Sequence, residues 1–273
     1  MPSISIIGAG HVGRVLGRLF HEAGAFEVCD IVARSAPSAA AGAAWIGAGR
    51  ACSYAQLRPA DVFLLAVSDD QIENACASLA ASAPLAGAIV FHCSGALASD
   101  RLQAARGAGA AVASVHPIRS FADVDAVAAA FTGTWCGAEG DERALAVLEP
   151  AFAAIGGRTV RIDAAAKTVY HAAAVFASNY LVTILDAALR AYQAAGIPEE
   201  IARELARPLA EESMRNVFRL GAAPALSGPI ARGDMATVQR QQAAVSAWDP
   251  ATGELYSALI PSTQSLAARK PHS

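Results

Sequence analysis

With 273 residues, 54% of them hydrophobic and only 16% charged, the chain can fill one large or two modest folded domains and lacks the polar balance of a disordered one. A formal net charge of -3 excludes the strongly basic surface that nucleic acid or an anionic membrane would call for. Much of the apolar content is alanine, and the longest apolar runs are broken by Arg, Asp, Gly or Pro within the ~20 residues of a membrane span, so no membrane segment is expected.

Residues 3–7 predict a first strand, not an export signal, because no basic stretch precedes them. A glycine turn follows, then a helix over 11–23 and a second strand over 27–33. Residues 61–67 read as a strand whose positions from Val62 to Val67 are apolar on both faces, as in a central parallel strand. A helix over 71–81 and strands over 88–92 and 111–115 continue the alternation. Short strands over 134–137 and 158–162 flank a helix over 141–155. From residue 164 onward helices take over. One spans 165–195 and stops at Gly196-Ile197-Pro198; another spans 198–220, with a kink or break expected at Pro208. A loop over 227–234 leads to helices over 235–248 and after Asp249-Pro250, and the tail 269–273 is expected to fray. The fold class is therefore α/β: a doubly wound parallel sheet of the Rossmann type over 1–162, followed by an all-helical domain over 163–273. The five cysteines are scattered, without a Cys-x-x-Cys pair, and fit buried thiols in a reduced, cytoplasmic setting.

The glycine turn, Gly8-Ala9-Gly10-His11-Val12-Gly13, lies between the first strand and the first helix, the context that gives a Gly-x-Gly-x-x-Gly pattern its meaning. Gly8 allows the tight turn, Gly10 lets backbone approach a diphosphate, and Gly13 lets the helix pack on the sheet. The helix N-terminus then offers free N–H groups to the phosphates. The second strand ends in Ala33-Arg34-Ser35. Where an NAD site has an acid for the ribose hydroxyl, this chain has a guanidinium and a hydroxyl suited to a 2′-phosphate, so NADP(H) is the expected cofactor. Asp30 lies too early, inside the strand.

Ligands of open parallel sheets bind beyond the carboxyl ends of the strands. Those ends read Val67-Ser68-Asp69-Asp70, His92-Cys93-Ser94-Gly95 and His116-Pro117-Ile118-Arg119-Ser120-Phe121. Val67, Ser68, His92 and Ser94 are expected near the cofactor, while His116, Arg119, Ser178 and Arg232 are candidates to bind substrate. Arg119 and Arg232 suit a carboxylate. In the helical half, Lys167, His171 and Ser178 share one helix face, with Asn179 at its edge. Such a stripe is either a source of protons for a reductase or a polar seam toward a neighbour.

Taken together these segments resemble the bacterial Rossmann-like proteins with a C-terminal DUF2520 domain, a family described as predicted oxidoreductases with a dimerization domain. The resemblance runs over the whole chain and includes residues 167–180 and Gly228-Pro229-Ile230-Ala231-Arg232-Gly233-Asp234. The wider group includes pyrroline-5-carboxylate, β-hydroxyacid and ketopantoate reductases. It implies a small-molecule substrate, a homodimer through the helical domain, and Lys167 as proton donor with Asn179 or Ser178 orienting the substrate. The usual Lys-x-x-x-Asn spacing is replaced by Lys167 and His171, which makes His171 an alternative donor. The resemblance offers a small carbonyl or imine compound as substrate, a 2-oxo acid such as ketopantoate among them. A non-catalytic, dinucleotide-sensing protein is the competing reading.

Overall fold

A computed structural model describes residues 1–270; of the tail expected to fray, residues 271–273 lie outside the described residues. The chain divides into two compact units, Met1–Ser178 and the helical remainder from Asn179 onward. This boundary falls later than the join expected near residue 163. The first helix after the sheet packs into the first unit, where it buries Lys167 to 1% exposure.

In the first unit, in chain order, are β1 (Ser3–Ile7), α1 (His11–Glu22), β2 (Glu27–Val32), α2 (Ala36–Ile46), β3 (Arg50–Cys52), β4 (Val62–Leu65), α3 (Ile72–Ser82), β5 (Ile89–His92), α4 (Gln103–Gly107), β6 (Ala111–Pro117), α5 (Val124–Ala129), β7 (Trp135–Gly140), α6 (Glu142–Ala154), β8 (Arg158–Arg161) and α7 (Lys167–Ala177). The strands form one sheet in the order β3-β2-β1-β4-β5-β6-β7-β8. Every neighbouring pair is parallel except β6 and β7. The strand order reverses between β1 and β4, which is where such sheets open a binding crevice.

The two faces of the sheet bury alternate residues of the same strand. Val62 and Leu64 of β4 join the cluster under α1 and α6, where Phe20 meets Phe26 and Phe152 edge to face. Phe63 and Leu65 join the cluster under α3, with Ile72, Cys76 and Leu79. At about 1.5–3 kcal/mol for each large side chain fully buried, these two layers hold the site in place.

The second unit contains α8 (Asn179–Ala194), α9 (Glu199–Leu220), α10 (Ala222–Ala225), α11 (Met235–Trp248) and α12 (Pro250–Ala267). Two expectations need correction. The helix over 165–195 is interrupted at Ser178 (φ -126°, ψ -74°), whose N–H reaches only the Val175 carbonyl at 3.4 Å. Ser and Asn compete locally with helical hydrogen bonds, which accounts for the interruption there. Pro208, in contrast, does not end α9, which continues through it to Leu220.

Candidate active site

The turn between β1 and α1 is built as the glycines require. Gly8 has φ +111°, and a Cβ there would strike the Ala66 backbone; a Cβ on Gly13 would strike the Gly8 carbonyl. Gly10 differs. Its backbone is extended, and a Cβ would meet nothing within 4 Å. The space it leaves free is part of a cavity of about 800 Å³ lined by Gly8, Ala9, Gly10, Arg14, Arg34 and Ser38, among others. The site therefore fits a dinucleotide: an open backbone cradle at a helix N-terminus, then a guanidinium where β2 ends. Arg14 Nε is buried without a partner on the same cavity, a second guanidinium in want of an anion. Asp30 is fully buried and takes hydrogen bonds from Arg50 and Arg58, so it is occupied in holding the sheet edge. Burial alone would raise its pKa, but these two guanidiniums hold it below the usual carboxylate value.

A second cavity, of about 400 Å³, shares Ala66, Val67 and Ser68 with the first. His11, Val12, Asp69, Cys93, Ser94, Gly95, His116, Arg119, Phe121 and His171 complete its polar and apolar walls. Ser94 Oγ donates to Asp69 at 2.9 Å and accepts from the Ala96 and Leu97 N–H groups, which fixes the loop after β5. His11 Nδ1 lies 2.5 Å from the Phe121 carbonyl, tying the start of α1 to the segment after β6. Burial pushes the Cys93 thiol far above its ordinary range, so it is a poor nucleophile in this setting.

Behind this cavity is a buried polar layer. Lys167 Nζ donates to the Ser94 carbonyl at 2.7 Å and to Ser114 Oγ, and lies 3.9 Å from Glu139. Glu139 in turn accepts from the Ser99 N–H and Oγ, both at 2.8 Å. Burial lowers the Lys167 ammonium to about 8, against the pull of the Glu139 carboxylate. With its hydrogens committed to these acceptors, Lys167 braces the Ser94–Gly95 loop from below. His92 is similar: Nδ1 accepts from the Ser94 N–H at 3.1 Å, Nε2 lies 3.2 Å from the Ala98 carbonyl, and burial, with the Lys167 charge, lowers its pKa to about 4.

The expected residues thus divide. Gly8, Ala9, Gly10 and Arg34 line the larger cavity; His11, Val12, Ser94, His116, Arg119 and His171 line the smaller; Val67 and Ser68 line both. Gly13 acts beneath the turn. The other expected residues fall differently. Ser35 uses its hydroxyl to cap α2 through the Ser38 N–H, and Ser38 lines the cavity instead. His92 and Lys167 are sealed beneath the smaller cavity, both behind its Ser94 wall. Ser178 and Asn179 are exposed where the helix breaks, so the stripe expected from Lys167 to Asn179 is not one continuous surface. Arg119 donates to the Ala130 carbonyl and to Thr134, which ties down one of the two guanidiniums expected to grip a carboxylate; the other, Arg232, is in the second unit. Residues that sequence reasoning missed are Arg14, Ser38 and Tyr170, while Asp69 and Gly95 belong to the strand-end segments already expected near the ligand. For Tyr170 the available signal was an aromatic hydroxyl directly before His171. Among the described residues no cluster of three or more His, Cys, Asp or Glu is placed to hold a metal ion.

Comparison with known proteins agrees with this geometry. Residues 2–117 match the model of a Rossmann-like domain, and residues 134–263 that of a domain of unknown function, DUF2520. A protein from Thermotoga maritima is similar at 26% identity, covering 97% of this chain and 98% of its own, with TM-score 0.75. A candidate NADP oxidoreductase from Bacteroides fragilis shares 21% identity with the same coverages and TM-score 0.78. A reductive aminase from Aspergillus terreus, solved with NADPH and ethyl-5-oxohexanoate, has the same coverages, 14% identity and TM-score 0.70. None of the curated proteins matches the sequence. The chain is a Rossmann-like protein with a C-terminal DUF2520 domain.

Proposed function

We propose that this chain is an NADP(H)-dependent oxidoreductase that transfers a hydride to a small carbonyl or imine compound. The observation that carries the reading is the pair of adjoining cavities at the carboxyl ends of the strands. One is large, with the open Gly10 cradle and Arg34; the other is small and lined by His116, His171 and Ser94. When bound, NADPH supplies the hydride. The backbone from Gly8 to Gly13 and the α1 N-terminus hold its diphosphate, and Arg34 with Ser38 holds the 2′-phosphate. Lys167, Ser114 and Glu139 keep the Ser94–Gly95 loop rigid beneath the reacting groups. The NADPH bound to the Aspergillus enzyme of like fold supports the choice of cofactor. Ketopantoate is one carbonyl compound of suitable size, and no residue of the smaller cavity singles it out. A screen of 2-oxo acids, aldehydes and cyclic imines for NADPH oxidation tests the reading. Binding of NADPH without turnover of any class would favour a sensing role.

The chain is further proposed to work as a homodimer through its second unit. Val182, Ile184, Leu205, Leu209 and Phe218 of α8 and α9 are exposed, Phe218 to 90%. So many large apolar side chains left exposed on two helices call for a cover. The helical run Ala164–Ala194 is also long and apolar enough to cross a membrane by length and composition. Its break at Ser178 and the buried Lys167 near its start favour a second copy of the chain as the cover.

A further inference from the structure

Three rings meet at the wall of the smaller cavity. His116 lies near the end of β6, and Tyr170 and His171 are neighbours on α7. The Tyr170 oxygen is 2.9 Å from His116 Nδ1, and the two rings stand edge to face with centroids 5.6 Å apart. His171 packs against the same imidazole, centroids 5.5 Å apart at 76°. Two glycines make the room. A Cβ on Gly137 would collide with the Tyr170 phenol, and one on Gly95 would collide with His171 Nδ1 and lie 2.9 Å from His116 Nε2. Omitting a side chain at both places is what allows the cluster to close around His116.

The contacts also decide which nitrogen carries hydrogen. Burial raises the Tyr170 phenol to about 12, so it remains protonated. Among the described residues His116 Nδ1 is the one acceptor within hydrogen-bond distance of the Tyr170 hydroxyl, so the phenol hydrogen is assigned to it. The ring hydrogen of neutral His116 then sits on Nε2. Burial, and after it the charges of His171 and Lys167, lowers His116 to about 4, so the neutral form prevails at pH 7. The other titratable groups around it are His11, Cys93, Arg119 and Asp69 on the cavity wall, and the Asp69 carboxylate is engaged by Ser94 Oγ.

We propose that His116, oriented by Tyr170, donates its Nε2–H to the oxygen of a carbonyl substrate, so that the site takes carbonyl compounds in preference to iminium ions. This rests on the reductase reading above. Hydride joins the carbonyl carbon with its electron pair, the C=O π pair moves onto oxygen, and the N–H dipole stabilises the charge that grows there. The alkoxide then takes the Nε2 proton while the Tyr170 hydroxyl proton passes to Nδ1. Water then returns a proton to Nε2 while the Nδ1 proton goes back to the Tyr170 oxygen, which restores both groups. An iminium nitrogen has no lone pair to meet an N–H donor. His116 is thus the catalytic residue and Tyr170 a positioning residue.

Nitrogen-15 histidine NMR on the full chain, without cofactor, tests the arrangement directly. His116 is expected as the neutral Nε2–H tautomer at pH 7, and Tyr170→Phe is expected to produce mixed tautomers of that ring. The Nδ1–H tautomer, or an imidazolium at pH 7, overturns the proposal. The second arm measures NADPH oxidation by aldehydes, 2-oxo acids and the N-methylpyrrolinium ion. His116→Phe is expected to lower carbonyl turnover about 100-fold while leaving NADPH affinity within about twofold, and His116→Gln, which keeps an N–H donor, to recover part of the loss. Faster reduction of the iminium than of any carbonyl, or a His116→Phe loss below about fivefold, overturns it. Failure of the wild-type chain to bind NADPH refutes the reductase reading instead, and the NMR result still judges His116.

Discussion

Replacing Gly10 by Val should separate binding from folding, because of where its Cβ would go. The Gly10 backbone is extended at φ -76°, a conformation any residue adopts, and the Cβ position is open. The folded state should therefore tolerate Gly10→Val within about 1 kcal/mol. The open space is where a diphosphate would approach the backbone. Losing one charge-assisted hydrogen bond there costs about 1.5–3 kcal/mol, a rise in the Kd for NADPH of roughly 10- to 150-fold. Gly8→Ala makes the contrast. It adds left-handed strain at φ +111° and drives a Cβ closer than 3.0 Å to the Ala66 carbonyl. Strain of about 1–2 kcal/mol and overpacking of about 1–3 kcal/mol together predict a loss of roughly 2–5 kcal/mol. For a chain of this size the Tm should fall by roughly 5–20 °C. Thermal unfolding and NADPH fluorescence titration on both variants give the two readouts. A Gly10→Val protein that binds NADPH like the wild type would refute the cradle, as would one as unstable as Gly8→Ala.

Three other outcomes follow from the same structure. Arg34→Ala should weaken NADPH by about 1.5–3 kcal/mol and leave NADH nearly unchanged, because only NADPH carries the 2′-phosphate; equal losses for both cofactors in calorimetric titrations would dismiss Arg34 from that role. Lys167 titrates at about 8 in the fold and 10.5 when unfolded, so the penalty for burying its charge is fully present below pH 8 and fades as pH rises toward 10.5. The stability of wild type relative to Lys167→Met should accordingly rise by up to about 3 kcal/mol across that window, in urea unfolding series that cancel the thiols common to both proteins; no pH trend in the difference would show the ammonium is not buried as described. Finally, Leu209→Asp with Phe218→Asp should convert a dimer to a monomer by light scattering. A wild-type chain that is monomeric, or that partitions into lipid vesicles, would remove the second copy as the cover for α8 and α9.

Much of the sheet is legible in the sequence because its strands bury both faces. Within residues 61–67 this shows as an unbroken apolar run from Val62 to Val67, and β4 falls inside it. The glycine turn is equally legible, since strand, turn and helix are consecutive. β3 escapes because three residues, Arg50–Cys52, carry no period, and α2 because alanines on every side erase its apolar stripe. The antiparallel β6–β7 pairing is set by long-range packing that no local pattern reports. In the site, the Lys167 and His171 stripe is visible at helical spacing, but their different fates are not. Lys167 is drawn inward by Ser94, Ser114 and Glu139, which come from three different strands or loops, while His171 fits against Gly95. Tyr170 gains its meaning only from His116, some fifty positions earlier in the chain.

Equilibrium titration of the protein with NADPH and with NADH, followed by intrinsic fluorescence, bears most directly on the whole scheme. Saturable binding of both is expected, with NADPH tighter by at least about tenfold, equivalent to 1.4 kcal/mol for the 2′-phosphate. Failure of either dinucleotide to saturate the protein at millimolar concentration would contradict it.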